Sequence, residues 1–255
     1  MGFRGQASMM PLTKVVKYLI IINIAVWFVF QILIEQYIFP NFDFTLYFGL
    51  VPQNIFLNFF VWQFGSYMFL HDTSNIMHLM FNMFTLWWVG SELELKWGSK
   101  KFLSYYLACG IGAGLIYFIG VFLYYLTSGN VIPLQIPVIG ASGAIFGLML
   151  AYGILFGDRE VLFMFVFPMK ARMFIAVLGF IELSMLLSQG LAGGHVANLA
   201  HIGGIISGYI YLTIWARLEA KKKGGGGGGR GGGSAKKSNL RLIVNNDNSK
   251  PKYWN

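Results

Sequence analysis

Two apolar runs flank a short basic segment in residues 74–126, which read SNIMHLMFNMFTLWWVGSELELKWGSKKFLSYYLACGIGAGLIYFIGVFLYYL. The runs cover residues 74–90 and 102–126, and the segment between them carries three lysines. A helix of about 20 apolar residues crosses a bilayer, and Lys and Arg accumulate in cytoplasmic loops. This part of the chain therefore predicts two membrane-spanning helices joined by a cytoplasmic turn.

The same alternation of apolar and basic segments continues along the rest of the chain. No Lys or Arg lies between Lys17 and Lys96, between Lys101 and Arg159, or between Arg172 and Arg217. Each empty interval has room for an outward and a return helix. The six apolar runs are residues 15–38, 74–90, 102–126, 141–157, 171–188 and 196–217. We therefore predict an all-α, polytopic bundle of six transmembrane helices with both termini in the cytoplasm.

The composition agrees with a membrane protein. Of the 255 residues, 56% are hydrophobic and 11% are charged, and the mean hydropathy is +0.61. These values exclude a disordered chain and an ordinary soluble domain. The net charge of +9 is explained by basic cytoplasmic segments, so no nucleic-acid partner is expected. With a single cysteine, neither an internal disulfide nor a Cys-based zinc site can form.

The spans divide the chain into three predicted parts. Residues 1–14 form a cytoplasmic N-terminus, residues 15–217 the six-span domain, and residues 218–255 a flexible, basic, Gly-rich cytoplasmic tail. An RNA-binding Gly/Arg segment is the weaker alternative for the tail. Residues 42–70, here called the long loop, are rich in aromatic residues and broken by glycine and proline. We expect the long loop to lie in the outer membrane interface between spans one and two.

We expect few functional polar side chains within the predicted spans, since such residues are costly in lipid. The candidates are His78, Asn82, Ser142, Glu182, His195, Asn198 and His201. Ser142 stands in GASGAIFG, at the start of the fourth span. There the free backbone N–H groups and the helix dipole favour an oxyanion, as a nucleophilic serine requires. Taken alone, the motif is better explained by a helix-capping serine beside a face of small residues.

His201 lies in AHIGGIISG on the sixth span, where glycines four residues apart allow close helix packing. Spans four and six run in the same direction, so Ser142 and His201 lie at similar depths. A hydrogen bond with His201 as general base is then possible. His78 and Asn82 in HLMFN share one helical face at the same depth and can form an oxyanion hole. Interhelical hydrogen bonding is the alternative role for all three.

Five segments in this order give the chain a family resemblance. They are WQFGSYMFLH, HLMFN, GSELELKWGSKKFLSYYL, GASGAIFG and AHIGGIISG. Over residues 11–217 the chain resembles a bacterial six-span rhomboid intramembrane serine protease. The resemblance implies that Ser142 is the nucleophile and His201 the general base, without a third carboxylate. His78, Asn82 and the Ser142 backbone N–H would stabilise the oxyanion. Gly140, Gly143, Phe146 and Asn198 are supporting positions.

The resemblance also implies the setting of the reaction. Substrates would be single-span membrane proteins cleaved near the outer surface, and the enzyme would lie among lipids in the bacterial inner membrane. No cofactor or metal is indicated, since HExxH and phosphate-loop motifs are absent. The alternatives are a catalytically silent rhomboid-like protein that binds membrane clients and, less well supported, a transporter, which would need polar residues through both leaflets.

Several residues depart from the family pattern or remain open. Gln63 follows Trp62 where an arginine is common, which puts the loop-anchoring role of that arginine in doubt. Phe146 replaces a frequent tyrosine and can stack on His201 without donating a hydrogen bond. For Glu182, pairing with another helix is favoured over a gating or water-holding role. His71 is expected to be an interfacial or substrate-entry residue, and His195 is expected at the interface.

Overall fold

The structure, a computed structural model, describes residues 11–163, 167–191 and 197–224. In chain order its α-helices are α1 Lys14–Ala25, α2 Phe44–Phe48, α3 Pro52–Asn58, α4 Gln63–Ser66, α5 Ile76–Thr85, α6 Ser91–Trp97, α7 Ser99–Ser128, α8 Ile132–Gln135, α9 Ser142–Leu155, α10 Ala171–Gln189 and α11 Ala197–Gly224. A π-helical segment, Val26–Ile38, continues α1, and another, Leu86–Gly90, joins α5 to α6. A short 3₁₀ helix, Tyr67–Phe69, follows α4.

Four helices within these ranges are long and apolar enough to cross a membrane. They are Lys14–Ile38, Ser99–Ser128, Ala171–Ser188 and Ala197–Lys222. They coincide with the first, third, fifth and sixth apolar runs of the sequence. The second run is also helical, from α5 through α6. The described chain is therefore a predominantly helical protein of the polytopic membrane type.

The fourth apolar run forms α9, which has only 14 residues. At 1.5 Å per residue it is about 21 Å long, shorter than the roughly 30 Å hydrocarbon core of a bilayer. The helix packs against α7 and α10, and eight of its residues are buried. Because other helices rather than lipid surround it, α9 does not need the full length of a lipid-facing span.

A two-stranded antiparallel hairpin lies between the fourth and fifth predicted spans. Strand β1, Glu160–Phe163, pairs with β2, Phe167–Lys170, between α9 and α10. The segment is rich in β-branched and aromatic residues, which favour strands over helices. Basic residues lie at the end of β2 and just after it: the Lys170 ammonium and the Arg172 guanidinium lie 3.6 Å and 3.1 Å from the Asp158 carboxylate.

Buried tyrosines of α7 and the long loop connect the central helices. The Tyr105 hydroxyl donates to the carbonyl of Gly147 on α9 at 2.8 Å. The Tyr67 hydroxyl donates to the carbonyl of Gly110 on α7 at 2.7 Å. Both rings are fully enclosed, and a buried phenol needs such a partner. These bonds fix α7 and α9 relative to each other and to the loop.

Gln63 anchors the long loop with a neutral side chain. It is fully buried, and its Oε1 accepts from the backbone N–H of Val51 at 3.0 Å. Its Nε2 donates to the carbonyls of Leu46 at 2.9 Å and Tyr47 at 3.2 Å. One amide group thus joins α2, the start of α3 and α4. The doubt raised by the missing arginine is resolved, since Gln63 holds the loop without a charge.

The long loop is also attached to the segment that precedes α9. Leu50 and Val138 exchange two backbone hydrogen bonds of 2.9 Å and 3.0 Å. The Gly140 N–H donates to the carbonyl of Tyr67 at 2.9 Å. Because these bonds lie two to four residues before Ser142, the loop determines where α9 begins.

Glu94 caps the N-terminus of α1 from a distant part of the chain. Its carboxylate accepts hydrogen bonds from the backbone N–H groups of Val15 and Val16 at 3.0 Å. The hydroxyls of Thr13 and Ser99 also donate to it, each at 2.5 Å. An anion at a helix N-terminus accepts hydrogen bonds from the free backbone N–H groups and is attracted by the positive end of the helix dipole. The GSELELKWGSKK segment therefore ties α6 to α1.

Candidate active site

Ser142 is the first residue of α9, and it does not cap that helix. The residue before it, Ala141, occupies the N-cap position, and no side-chain capping hydrogen bond is present there. The capping interpretation of the GASG motif is therefore wrong. The Ser142 hydroxyl is half-buried and points instead toward the neighbouring helix α11.

Helices α9 and α11 contact each other through glycine. A Cβ on Gly204 would overlap the carbonyl oxygen of Gly143. A Cβ on Gly208 would lie 3.3 Å from the Gly147 Cα. Side chains at these positions would push the helices apart, so the small faces predicted from the sequence produce the close contact. This packing brings residues near the starts of both helices within hydrogen-bonding distance.

His201 makes the contact that the spacing predicted. Its Nε2 lies 2.8 Å from the Ser142 Oγ. The Phe146 ring stacks on the imidazole, with ring centroids 4.4 Å apart and an interplanar angle of 14°. The stacking limits tilting of the imidazole, and the predicted role of Phe146 as a stacking partner is confirmed. A serine hydroxyl bonded to an imidazole nitrogen is the arrangement of a nucleophile and its general base.

His78 lies beside Gly140, two residues before Ser142. Its Nδ1 accepts from the backbone N–H of Asp72 at 3.3 Å, so the proton of the neutral ring resides on Nε2. A Cβ added to Gly140 would lie 2.9 Å from that Nε2 and 3.7 Å from the Ser142 Oγ. Gly140 also has φ +118°, which L side chains rarely adopt. Glycine is therefore required here both by the backbone and by the approach of His78.

Asn82 is less free to act than its position on the same helical face suggested. It is buried, and its Nδ2 donates to the carbonyl of His78 at 2.7 Å. One of its two amide hydrogens is therefore used within its own helix, and one remains for another acceptor.

His71 is buried, contrary to the expectation of an interfacial position. Its backbone N–H donates to the Gln31 Oε1 at 2.9 Å, and its carbonyl accepts from the Gln31 Nε2 at 3.0 Å. Burial and the neighbouring His78 ring, 5.2 Å away between centroids, lower the pKa of His71 to about 3. A neutral His71 therefore packs beside His78. Gln31 itself was missed, although a glutamine inside an apolar run was a signal that could have found it.

Three candidate residues from the sequence remain, Asn198, Glu182 and His195. Asn198 is buried on α11, three residues before His201. Glu182 lies on α10 with its Oε2 3.0 Å from the Nδ1 of His201, so the favoured pairing with another helix is confirmed. His195 lies outside the described residues. Within the described ranges, no three His, Cys, Asp or Glu side chains converge as metal ligands would.

Comparison with known proteins extends this picture. A family model described as the Rhomboid domain matches residues 58–218. Rhomboid protease GluP of Bacillus subtilis is 34% identical over 137 residues, which are 52% of this chain and 22% of that protein. Rhomboid protein 1, mitochondrial, of Saccharomyces cerevisiae is 31% identical over 134 residues, 52% of this chain and 36% of that protein. Rhomboid protease AarA of Providencia stuartii is 32% identical over 199 residues, 74% of this chain and 68% of that protein. The chain thus spans well under half of the first two relatives.

Proposed function

The chain belongs to the rhomboid family, and on that premise we propose that it is an intramembrane serine protease with Ser142 as nucleophile and His201 as general base. The observation that carries the proposal is the 2.8 Å contact between the Ser142 Oγ and the His201 Nε2. It joins two apolar helices at a half-buried position, where an unpaired hydroxyl and imidazole would be costly.

The proposed reaction follows from the positions of these groups. His201 Nε2 takes the proton from Ser142 Oγ as the oxygen attacks the substrate carbonyl. Negative charge develops on the substrate carbonyl oxygen, near the Nε2–H of His78 and the backbone N–H of Ser142, with Asn82 as a further donor. His201 then gives the proton to the leaving amine. Water activated by the same imidazole releases the acyl group from Ser142.

The membrane arrangement is part of the proposal. The protein is an integral membrane protein, and six spans are proposed within residues 15–217, with residues 1–14 and 218–255 in the cytoplasm. The bacterial inner membrane is the proposed location. The long loop exposes large aromatic side chains, including Phe59 at 75% and Trp62 at 47%, which suits the outer interface.

Single-span membrane proteins are the proposed substrates. The face of α5 that carries Met80 and Phe81 is exposed, at 52% and 61%. An apolar substrate helix can approach such a face through lipid. Because a helix hides its peptide bonds, the substrate must unwind locally before one of them reaches Ser142.

The alternatives are less well supported. A silent client-binding protein would be expected to have lost Ser142 or His201, whereas both residues are present and in contact. A transporter would be expected to place polar side chains along a path through both leaflets. The polar residues of the candidate site lie near the starts of α5, α9 and α11 instead.

Labelling with a fluorophosphonate probe tests the proposal directly. We expect the purified protein in detergent to form a covalent adduct on Ser142, because only a serine activated by a base attacks such a probe readily. Peptide mass spectrometry would locate the adduct. An unlabelled protein, or an adduct on another serine, would contradict the proposed nucleophile. The His201→Ala variant serves as the control for activation and should label far more slowly.

Topology provides a second test, motivated by the intervals without Lys or Arg. Single cysteines at Ser128 and Ser249, in a Cys109→Ser background, are expected to react with a membrane-impermeant thiol reagent from opposite sides of the membrane. Cys109 is buried, so its replacement should not alter the exposed surface. Labelling of both positions from the same side would refute six spans with both ends inside.

A further inference from the structure

Glu182 occupies a position that the Ser-His pair does not explain. Its side chain projects from α10 with 14% exposure, and its Oε2 lies 3.0 Å from the Nδ1 of His201. Both atoms are shielded from solvent, and neither makes a well-aligned hydrogen bond within the described part of the chain. The distance is therefore within hydrogen-bonding range, while the alignment is incomplete. Such contacts often tighten only when substrate is bound.

The position of this carboxylate on the ring matters. Nε2 of His201 faces Ser142, whereas Glu182 lies at Nδ1 on the other side of the imidazole. The three groups stand in the order hydroxyl, imidazole, carboxylate, contributed by α9, α11 and α10, whereas the resemblance implied no third carboxylate. Phe146 covers a face of the same ring. Stacking restrains tilting out of the ring plane, and a carboxylate at Nδ1 restrains rotation within it.

We propose that Glu182 is a positioning residue that holds His201 in the orientation and tautomer needed for proton transfer from Ser142. This inference rests on the proposed function. A carboxylate accepts a hydrogen bond from Nδ1–H, which leaves the lone pair on Nε2 free to take the serine proton. When Nε2 takes that proton, the ring becomes an imidazolium and the carboxylate stabilises it. The proton stays on His201 until the leaving amine receives it, and Glu182 exchanges no proton in the step.

Charge considerations support the role. An ionised side chain within a span is expensive unless it meets a partner, and His201 is the partner that Glu182 meets. His78, the other titratable group close to His201, has its Nδ1 occupied by the Asp72 amide. Its ring is therefore arranged for donation toward the oxyanion rather than for orienting His201. The site thus contains two histidines, one with the Asp72 amide at its Nδ1 and the other with the Glu182 carboxylate near its Nδ1.

The test compares Glu182→Gln, Glu182→Asp and Glu182→Leu with the wild type on one transmembrane substrate. Glutamine keeps the size and removes the charge, and it can donate to Nδ1 and so favour the wrong tautomer. We expect Glu182→Gln to lower kcat by about tenfold or more, with little change in KM. This effect should be smaller than that of losing a general base, which is about 10²- to 10⁴-fold. Glu182→Leu should lower kcat further, and Glu182→Asp should restore part of the loss because the charge returns.

Ser184→Ala provides the matched control, since Ser184 is an exposed polar residue two positions further along α10. Thermal unfolding of each variant separates folding from turnover. If Glu182→Gln keeps wild-type kcat while the wild type is active and labelled on Ser142, the positioning role is overturned and the protease proposal stands. Reduced thermal stability with unchanged kcat of the folded fraction would likewise overturn it. Failure of the wild type to label would instead count against the proposed function.

Discussion

Ser142→Ala is expected to abolish both substrate cleavage and fluorophosphonate labelling while leaving the protein folded. The substitution removes the atom that would attack the carbonyl. In serine proteases the loss of the nucleophile lowers kcat by about 10⁶-fold. Cleavage of a model transmembrane substrate in detergent, followed by gel electrophoresis, measures this effect.

The fold should tolerate the change because Ser142 does not cap α9, whose N-cap residue is Ala141. Alanine also has a higher helix propensity than serine. The protein should therefore stay folded, and the lost hydrogen bond to His201 should lower the melting temperature only modestly. Ser207→Ala, which removes a half-buried hydroxyl from the same helix as His201, is the matched control and should keep its activity. Cleavage by Ser142→Ala near the parent rate would refute the serine-protease proposal.

The helices were predictable because membrane insertion imposes a strong pattern on sequence. Apolar length and the positions of Lys and Arg set the helical runs, and the predicted run 15–38 corresponds to the helix Lys14–Ile38. The hairpin of β1 and β2 was missed because its strands are short. The strand preference of so few residues is a much weaker signal than the six long apolar runs that predict helices. Nothing in the period of hydrophobicity distinguishes eight residues of hairpin from a loop.

The contact between Ser142 and His201 was also predictable, since depth along parallel spans follows from counting residues and glycine spacing indicates close packing. The roles of Glu182 and Gln63 were not. Which neighbour a side chain contacts depends on how its helix or loop is rotated and packed against the others. That rotation is set by tertiary contacts, which leave no pattern in the local sequence. His71 illustrates this, because its burial results from hydrogen bonds with Gln31, forty residues away in the chain.

The oxyanion site gives the second large effect. When Ser142 attacks, the carbonyl oxygen gains negative charge in a surrounding of low polarity, so a preplaced donor helps more there than in the bound substrate. Removing one such donor typically lowers turnover by about 10²- to 10³-fold. We therefore expect His78→Ala to lower kcat strongly with little change in KM. Leu95→Ala, an exposed change on α6, which continues from α5, is the control and should keep kcat.

Asn82→Ala should also lower kcat, but by less than His78→Ala. One amide hydrogen of Asn82 already bonds the carbonyl of His78, so a single hydrogen remains to reach the oxyanion. His78 instead has its tautomer set by the Asp72 amide, which leaves Nε2–H available. The double variant should cost less than the sum of the two single effects on the activation free energy if both residues act on one oxygen.

A purely structural role would give a different result. Asn82 bonds its own helix, and loss of that bond alone would lower the melting temperature in detergent while the remaining folded enzyme kept its normal turnover. His78 has its ring against Gly140, so its removal could likewise loosen the segment before Ser142. Measuring kcat per labelled Ser142 separates these outcomes, because fluorophosphonate counts only sites in which the serine is still activated. If kcat per labelled site stays at the wild-type value in both variants, His78 and Asn82 stabilise the helices rather than the transition state.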